Sequence, residues 1–153
     1  MRPSLLDVLQ GLRSGFSRLS ASSESAIAEC EAALGLSLPT EYREFLLWSD
    51  GGELPAGVQA VDFWEVGRLL RRNSALEVAR YLPGVLLIGS NEGETALGYK
   101  IDASGGIPLA VPFGDLSADA IAWVGPTLGS LISRVISSDV DLDEICYPDS
   151  GKT

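Results

Sequence analysis

Apolar residues recur with a helical period at the start of the chain. Leu5, Val8, Leu9 and Leu12 fall at i, i+3, i+4 and i+7, which predicts a short helix over residues 3–13, opened by Pro3. Gly11 and Gly15 weaken it, and Ser14–Ser23 reads as a linker. Ser22 or Ser23 then caps a second helix, with Glu24 in its first turn, Ile27, Cys30 and Leu34 on its buried stripe, and Gly35 placed for a left-handed C-cap. Pro39 suits the first turn of a third helix, which turns Tyr42, Phe45 and Leu46 inward and leaves Glu41, Arg43 and Glu44 in water. Trp48-Ser49-Asp50-Gly51-Gly52 stops that helix.

The period then shortens. Val58–Trp64 reads as a strand, followed by a helical stretch over Glu65–Arg80 that breaks near Asn73-Ser74. Val85–Ile88 is wholly apolar between Pro83-Gly84 and Gly89, the pattern of a central strand. Leu97, Tyr99 and Ile101 alternate with Ala96, Gly98 and Lys100, and Ala103-Ser104-Gly105-Gly106 turns the chain. Ile107, Leu109, Val111 and Phe113 then alternate with Pro108, Ala110 and Pro112, which completes a hairpin. Pro108 and Pro112 lack N–H groups on the same side of their strand, so that side should be a sheet edge or a bulge. Ala120–Val124 makes a further strand. Gly125-Pro126-Thr127 opens a last helix on Leu128, Leu131, Ile132, Val135 and Ile136. The tail, residues 138–153, is acidic and expected to be partly flexible.

Composition narrows the chemistry. The 153 residues suit one domain, and 46% hydrophobic content is enough for a core. There is no histidine, which removes Ser-His-Asp and Cys-His nucleophiles, imidazole acid–base chemistry and His-bearing zinc sites. The net charge of −10 argues against nucleic acid as a partner, because that affinity comes largely from Lys and Arg. Cys30 and Cys146 form no C-x-x-C and fit a reducing compartment. Asp7 interrupts the N-terminus before a signal core develops, and no apolar run is long enough for a bilayer. A soluble, cytoplasmic protein without membrane contact, metal or cofactor is expected.

The short motifs mostly fail. Gly151-Lys152-Thr153 ends like a phosphate loop, but Cys146 stands where that loop needs Gly. Asp139–Glu144 echoes a calcium loop, yet Glu144 holds the glycine position and Ser150 that of the bidentate ligand. Gly125-Pro126-Thr127-Leu128-Gly129 resembles a nucleophile elbow without a base. Three carboxylate pairs remain as hydrolase candidates: Asp50 with Glu53, Asp62 with Glu65, and Glu92 with Glu94. Each lies by a glycine or in a loop, where both acids would titrate ordinarily. Arg68, Arg71 and Arg72 share one helical face, with Arg80 just beyond; they read either as a solvated face or as a docking patch for an acidic surface.

Residues 27–52 carry a more specific pattern. An acidic helix ends on Leu34-Gly35, Leu38-Pro39 follows, and a helix bearing Tyr42 and Phe45-Leu46 closes on Asp50-Gly51-Gly52. This order resembles the signature of the SUKH superfamily, which contains fungal cell-wall assembly regulators and many bacterial immunity proteins. Leu82-Pro83 before Leu87-Ile88-Gly89, with the Glu92-Gly93-Glu94 turn, is similar to the family's second characteristic segment. The likeness covers about residues 24–137. It departs at Gly125-Pro126-Thr127, where the family has an acidic-Ser-Phe entry, and it leaves out the N-terminal helix and the tail.

The resemblance implies an α+β fold, a mainly antiparallel sheet of roughly 4–6 strands packed by helices. It also implies work by protein–protein binding rather than catalysis. An immunity protein that neutralises a basic toxin domain, a nuclease being one such partner, would meet it with complementary potential. The expected contacts are Trp48, Asp50 and Glu53, then Trp64 and Glu65, then Glu92 and Glu94, then Asp115 and Asp119. Trp48 and Trp64 equally fit core packing. The alternatives are a regulatory adaptor of the fungal type and, further off, a carboxylate-dependent hydrolase.

Overall fold

In the computed structural model, residues 3–12, 15–54, 60–103, 105–137 and 141–146 are described. Ser4 Oγ accepts from Asp7 N and starts α1 (Leu5–Gln10), shorter than its stripe predicts because Gly11 takes the C-cap. Ser23 Oγ accepts from Ala26 N to start α2 (Glu24–Leu34), and Gly35, at φ 73°, closes it in the left-handed conformation. Pro39 sits one residue before α3 (Thr40–Leu46), at its cap rather than in its first turn. Arg43 is not in open water: it bridges Glu24 at 2.6 Å and Glu31 at 3.1 Å, and Glu31 also accepts from Leu38 N. These contacts fix the elbow between α2 and α3.

Seven strands pair antiparallel in chain order among the described residues, one more than the widest expectation. They are β1 (Ser17–Arg18), β2 (Gly52–Glu53), β3 (Asp62–Phe63), β4 (Val85–Ser90), β5 (Thr95–Asp102), β6 (Gly105–Pro112) and β7 (Ala122–Trp123). The extra strand lies in the stretch that reads as a linker. Two residues carry no period, and β1 is held by pairing with β2 and by Phe16, which packs on Phe45, Trp48 and Phe63. The strand expected at Val58–Trp64 is confined to Asp62–Phe63, with 55–59 outside the described residues. Likewise Ala120–Val124 shortens to β7 after a 3₁₀ turn at Ala118–Ala120.

The hairpin of β5 and β6 forms as predicted, paired from Thr95↔Pro112 to Asp102↔Gly105. Phe113 N donates to Glu94 O, so the alternate positions 108, 110 and 112 face β7. That neighbour pairs only at Leu109↔Trp123 and Ala110↔Ala122, between the two prolines. Beyond it the sheet ends, as the prolines require.

Helix α4 (Val66–Ala75) runs through Asn73-Ser74 unbroken, and the chain instead turns at Glu77, φ 53°, before α5 (Val78–Tyr81). Both helices pack on β4, which is buried along its whole length. Helix α6 (Leu128–Ile136), capped by Thr127, lies against α1. Part of the tail is ordered into the fold: α7 (Leu142–Cys146) packs on β5 and β6, with Leu142 fully buried and Asp143 accepting from Asn91 and Thr95. One apolar leucine between acids is too short a pattern to predict this. Residues 138–140 and 147–153 lie outside the described residues, and with them Gly151-Lys152-Thr153 of the phosphate-like motif and both Asp139 and Ser150 of the calcium-like one. The largest fully buried side chains are Tyr42, Tyr99, Phe45 and Phe63, at the junction of α3 with the sheet.

Glu41, which the helical period places in water, is the main correction. Its carboxylate accepts from Leu5 N, Tyr99 Oη, Leu128 N and Gly129 N, at 2.8–2.9 Å. It therefore sits where the N-termini of α1 and α6 converge on α3.

A candidate interaction surface at the acidic end of the sheet

Strand register decides which acids meet. Glu53 on β2 stands opposite Asp62 on β3, Asp62 opposite Ser90 on β4, Ser90 opposite Ala96 on β5, and Ala96 opposite Val111 on β6. The turn with Glu92 and Glu94 leaves β4 just past this row, and Asp115 follows β6 just past it. Ala122 pairs with Ala110, so the 3₁₀ turn carrying Asp119 lies at the same end. Glu53, Glu92, Glu94, Asp115 and Asp119 are all exposed, and among the described residues none is in an ion pair. Five expected contact residues thus come from separate segments to one end of the sheet.

The other four are placed differently. Trp48 is half-buried, stacked on Phe16 at 5.8 Å with Arg18 4.8 Å from its ring centroid, so its core-packing reading holds. Asp50 Oδ1 accepts from Val66 N at 2.8 Å and caps α4 across the chain, which makes it a structural acid. The preceding motif explains that placement. Gly51 and Gly52 both have φ in the left-handed half, and a Cβ on Gly51 would lie 2.6 Å from Phe63 O. Trp64 is only 3% exposed, and Glu65 pairs with Arg68 at 3.6 Å.

Trp64 and Glu65 nevertheless line a cleft of about 240 Å³ between β2, β3 and α4, together with Glu53, Asp62, Arg68 and Arg72. Arg72 lies 4.7 Å from the Trp64 ring centroid. Sequence spacing pairs Asp62 with Glu65 and Glu53 with Asp50; the fold pairs Glu53 with Asp62. Only β2–β3 register could reveal that. Of the arginines singled out as a patch, Arg68 and Arg72 turn to this cleft, whereas Arg80 pairs with Glu77.

Asp62 is held above the ordinary carboxylate range, first by burial, then by the charges of Glu53 and Glu92, with Arg72 and Arg68 opposing. The thiols of Cys30 and Cys146 are pushed up, chiefly by burial, which disfavours the thiolate. No group of three or more His, Cys, Asp or Glu among the described residues is arranged to hold a metal ion. No helix among them is long and apolar enough to cross a membrane.

A family model described as the SMI1 / KNR4 family (SUKH-1) matches residues 21–134. The chain belongs to the SUKH-1 family. No curated protein sequence matches it. The SUKH-1 match takes in α2 through most of α6, and with them the acidic end and most of the cleft. Three elements lie outside it: α1, β1 and α7.

The Glu53–Asp62 juxtaposition has a measurable cost within this SUKH-1 domain. Like charges directly opposite across a strand pair destabilise by on the order of 0.5 kcal/mol, so Asp62→Asn should raise Tm at pH 7 by about 1–2 °C. The sign with pH follows from the raised folded pKa. The penalty is full above that pKa and is relieved as pH falls through it toward the unfolded value. The gain from Asp62→Asn should therefore fade in acid, and a gain unchanged between pH 7 and pH 3 would contradict it.

Proposed function

We propose that this SUKH-1 chain is a non-enzymatic, cytoplasmic immunity-type domain that binds a basic toxin domain, of nuclease type, and blocks it. The observation that carries this reading is the gathering of Glu53, Glu92, Glu94, Asp115 and Asp119, all exposed, at one end of the sheet of a −10 chain. A toxin that acts on nucleic acid offers a cationic cleft, and complementary potential speeds encounter and fixes orientation. The acids arise on turns whose anchors lie in the sheet, so the surface is presented by a rigid frame.

The test begins with the neighbouring open reading frames: a toxin-like domain found there is co-expressed with the chain, and association kinetics of the purified pair follow. The triple variant Glu92→Lys, Glu94→Lys, Asp115→Lys should lower the association rate about tenfold or more at low salt, and the gap should narrow as salt rises. Neutralisation by the triple variant at an undiminished, salt-independent rate would refute the acidic-end reading. A stable complex with a housekeeping protein, unaffected by toxin expression, would establish the adaptor reading in its place.

A further inference from the structure

The cleft between β2, β3 and α4 differs from the rest of the acidic end in being concave. At about 240 Å³ it is smaller than the roughly 300–1,000 Å³ of drug-sized ligand sites and suits a single side chain. Two unmet needs sit in its wall. Asp62, half-buried, accepts no hydrogen bond and makes no ion pair among the described residues, although Glu53 faces it and Glu92 lies within Coulombic reach. Trp64 is only 3% exposed, and its Nε1–H has no acceptor among the described residues. Folded proteins rarely leave a buried indole N–H so.

Charges within the cleft do not cancel. Arg68 and Glu65 are committed to each other at 3.6 Å. Arg72 lies over the Trp64 ring and forms no ion pair among the described residues, leaving one guanidinium in the lining against Glu53 and Asp62, while Glu92 adds its charge from outside the lining.

We propose that this cleft is a socket for one arginine or lysine side chain presented by a protein partner. Its cation lies between Glu53 and Asp62, and a backbone carbonyl of the same residue accepts from Trp64 Nε1–H once Arg72 swings from the ring. This deepens the reading of a basic partner and rests on it for the source of the side chain, but the socket is testable without that partner.

The probe is Nα-acetyl-arginine-N-methylamide, titrated into the full chain and followed by ¹H–¹⁵N NMR, with the neutral citrulline analogue as control. Saturable shifts are expected at the Trp64 indole N–H and at the amides of Glu53 and Asp62, with a Kd on the order of 1–10 mM. The control should produce none. Asp62→Asn, its fold checked by the Tm measurement above, should weaken binding about tenfold, whereas Glu94→Gln, outside the cleft, should not. Linear shifts centred on Glu92, Glu94 and Asp115, equal in Asp62→Asn, would overturn the socket. Saturable probe binding in a chain that neutralises no toxin would keep the socket and refute the immunity reading. Neutralisation without saturable probe binding would do the reverse.

Discussion

Glu41→Ala should destabilise the fold by about 3–4 kcal/mol, the largest loss expected from any single surface-adjacent acid. Oε1 accepts from Tyr99 Oη at 2.9 Å and Leu128 N at 2.8 Å, and Oε2 from Leu5 N and Gly129 N, both at 2.9 Å. Three of these donors are first-turn N–H groups of α1 and α6, which have no acceptor within their own helices. The carboxylate also sits at the positive ends of both helix dipoles. Tyr99 stays a donor, because burial and then the charge of Glu41 push its phenol well above its ordinary pKa. Hydrogen bonds to a charged group contribute about 1.5–3 kcal/mol each, and partial access of water reduces the sum. Glu41→Gln keeps one acceptor oxygen but turns an amide toward N–H donors, so about 2 kcal/mol should be lost. Urea unfolding checks both values; a loss under about 1 kcal/mol for Glu41→Ala at unchanged m would show that water replaces the carboxylate.

The second large effect is expected at Asn73. Strand β3 pairs with β4 only at Gly89 and Ser90, so Leu87 faces no strand on that side. Asn73 supplies what is missing: Oδ1 accepts from Leu87 N at 2.9 Å, and Nδ2 donates to Leu87 O at 2.9 Å and to Leu69 O at 2.8 Å. One side-chain amide thus stands in for one residue of an absent strand. Asn73→Leu leaves the buried N–H and C=O of Leu87 unpaired and should cost about 2–4 kcal/mol, or about 5–10 °C in Tm. Faster exchange of the Leu87 amide should accompany it. An unchanged Tm would mean that leucine packing against β4 compensates for the lost bonds.

These two residues also mark where sequence reading stops. Both fall on positions whose local period is uninformative: Glu41 adjoins Tyr42 on what looks like the wet side of α3, and Asn73 looks like a helix breaker. Their partners lie 36, 58, 87 and 88 residues away for Glu41 and 14 away for Asn73, on elements whose position no periodicity reports. By contrast the β5–β6 hairpin is legible because its alternation, its glycine turn and its two prolines all depend on adjacent residues. The same division runs through the candidate surface. Glu92, Glu94 and Asp115 are recognisable as exposed because glycines flank them in turns, whereas the meeting of Glu53 with Asp62 needs the register of two-residue strands. Trp64 is both things at once, a core residue by burial and a cleft residue by position.

The chain's order of strands and its order of helices make different demands on synthesis. Each strand of the sheet lies beside the next one in the chain, so the sheet can be added to strand by strand as the polypeptide leaves the ribosome. Helix α1 meets one neighbour early, α3, and a second only near the far end of the chain, α6. Thr127 Oγ1 donates to Pro3 O across 124 residues, and a Cβ on Gly129 would lie 2.5 Å from that same oxygen. The cover of α1 is therefore incomplete until α6 has emerged, and Glu41 must wait as long for Leu128 N and Gly129 N. The first helix to be made thus has its packing completed by one of the last.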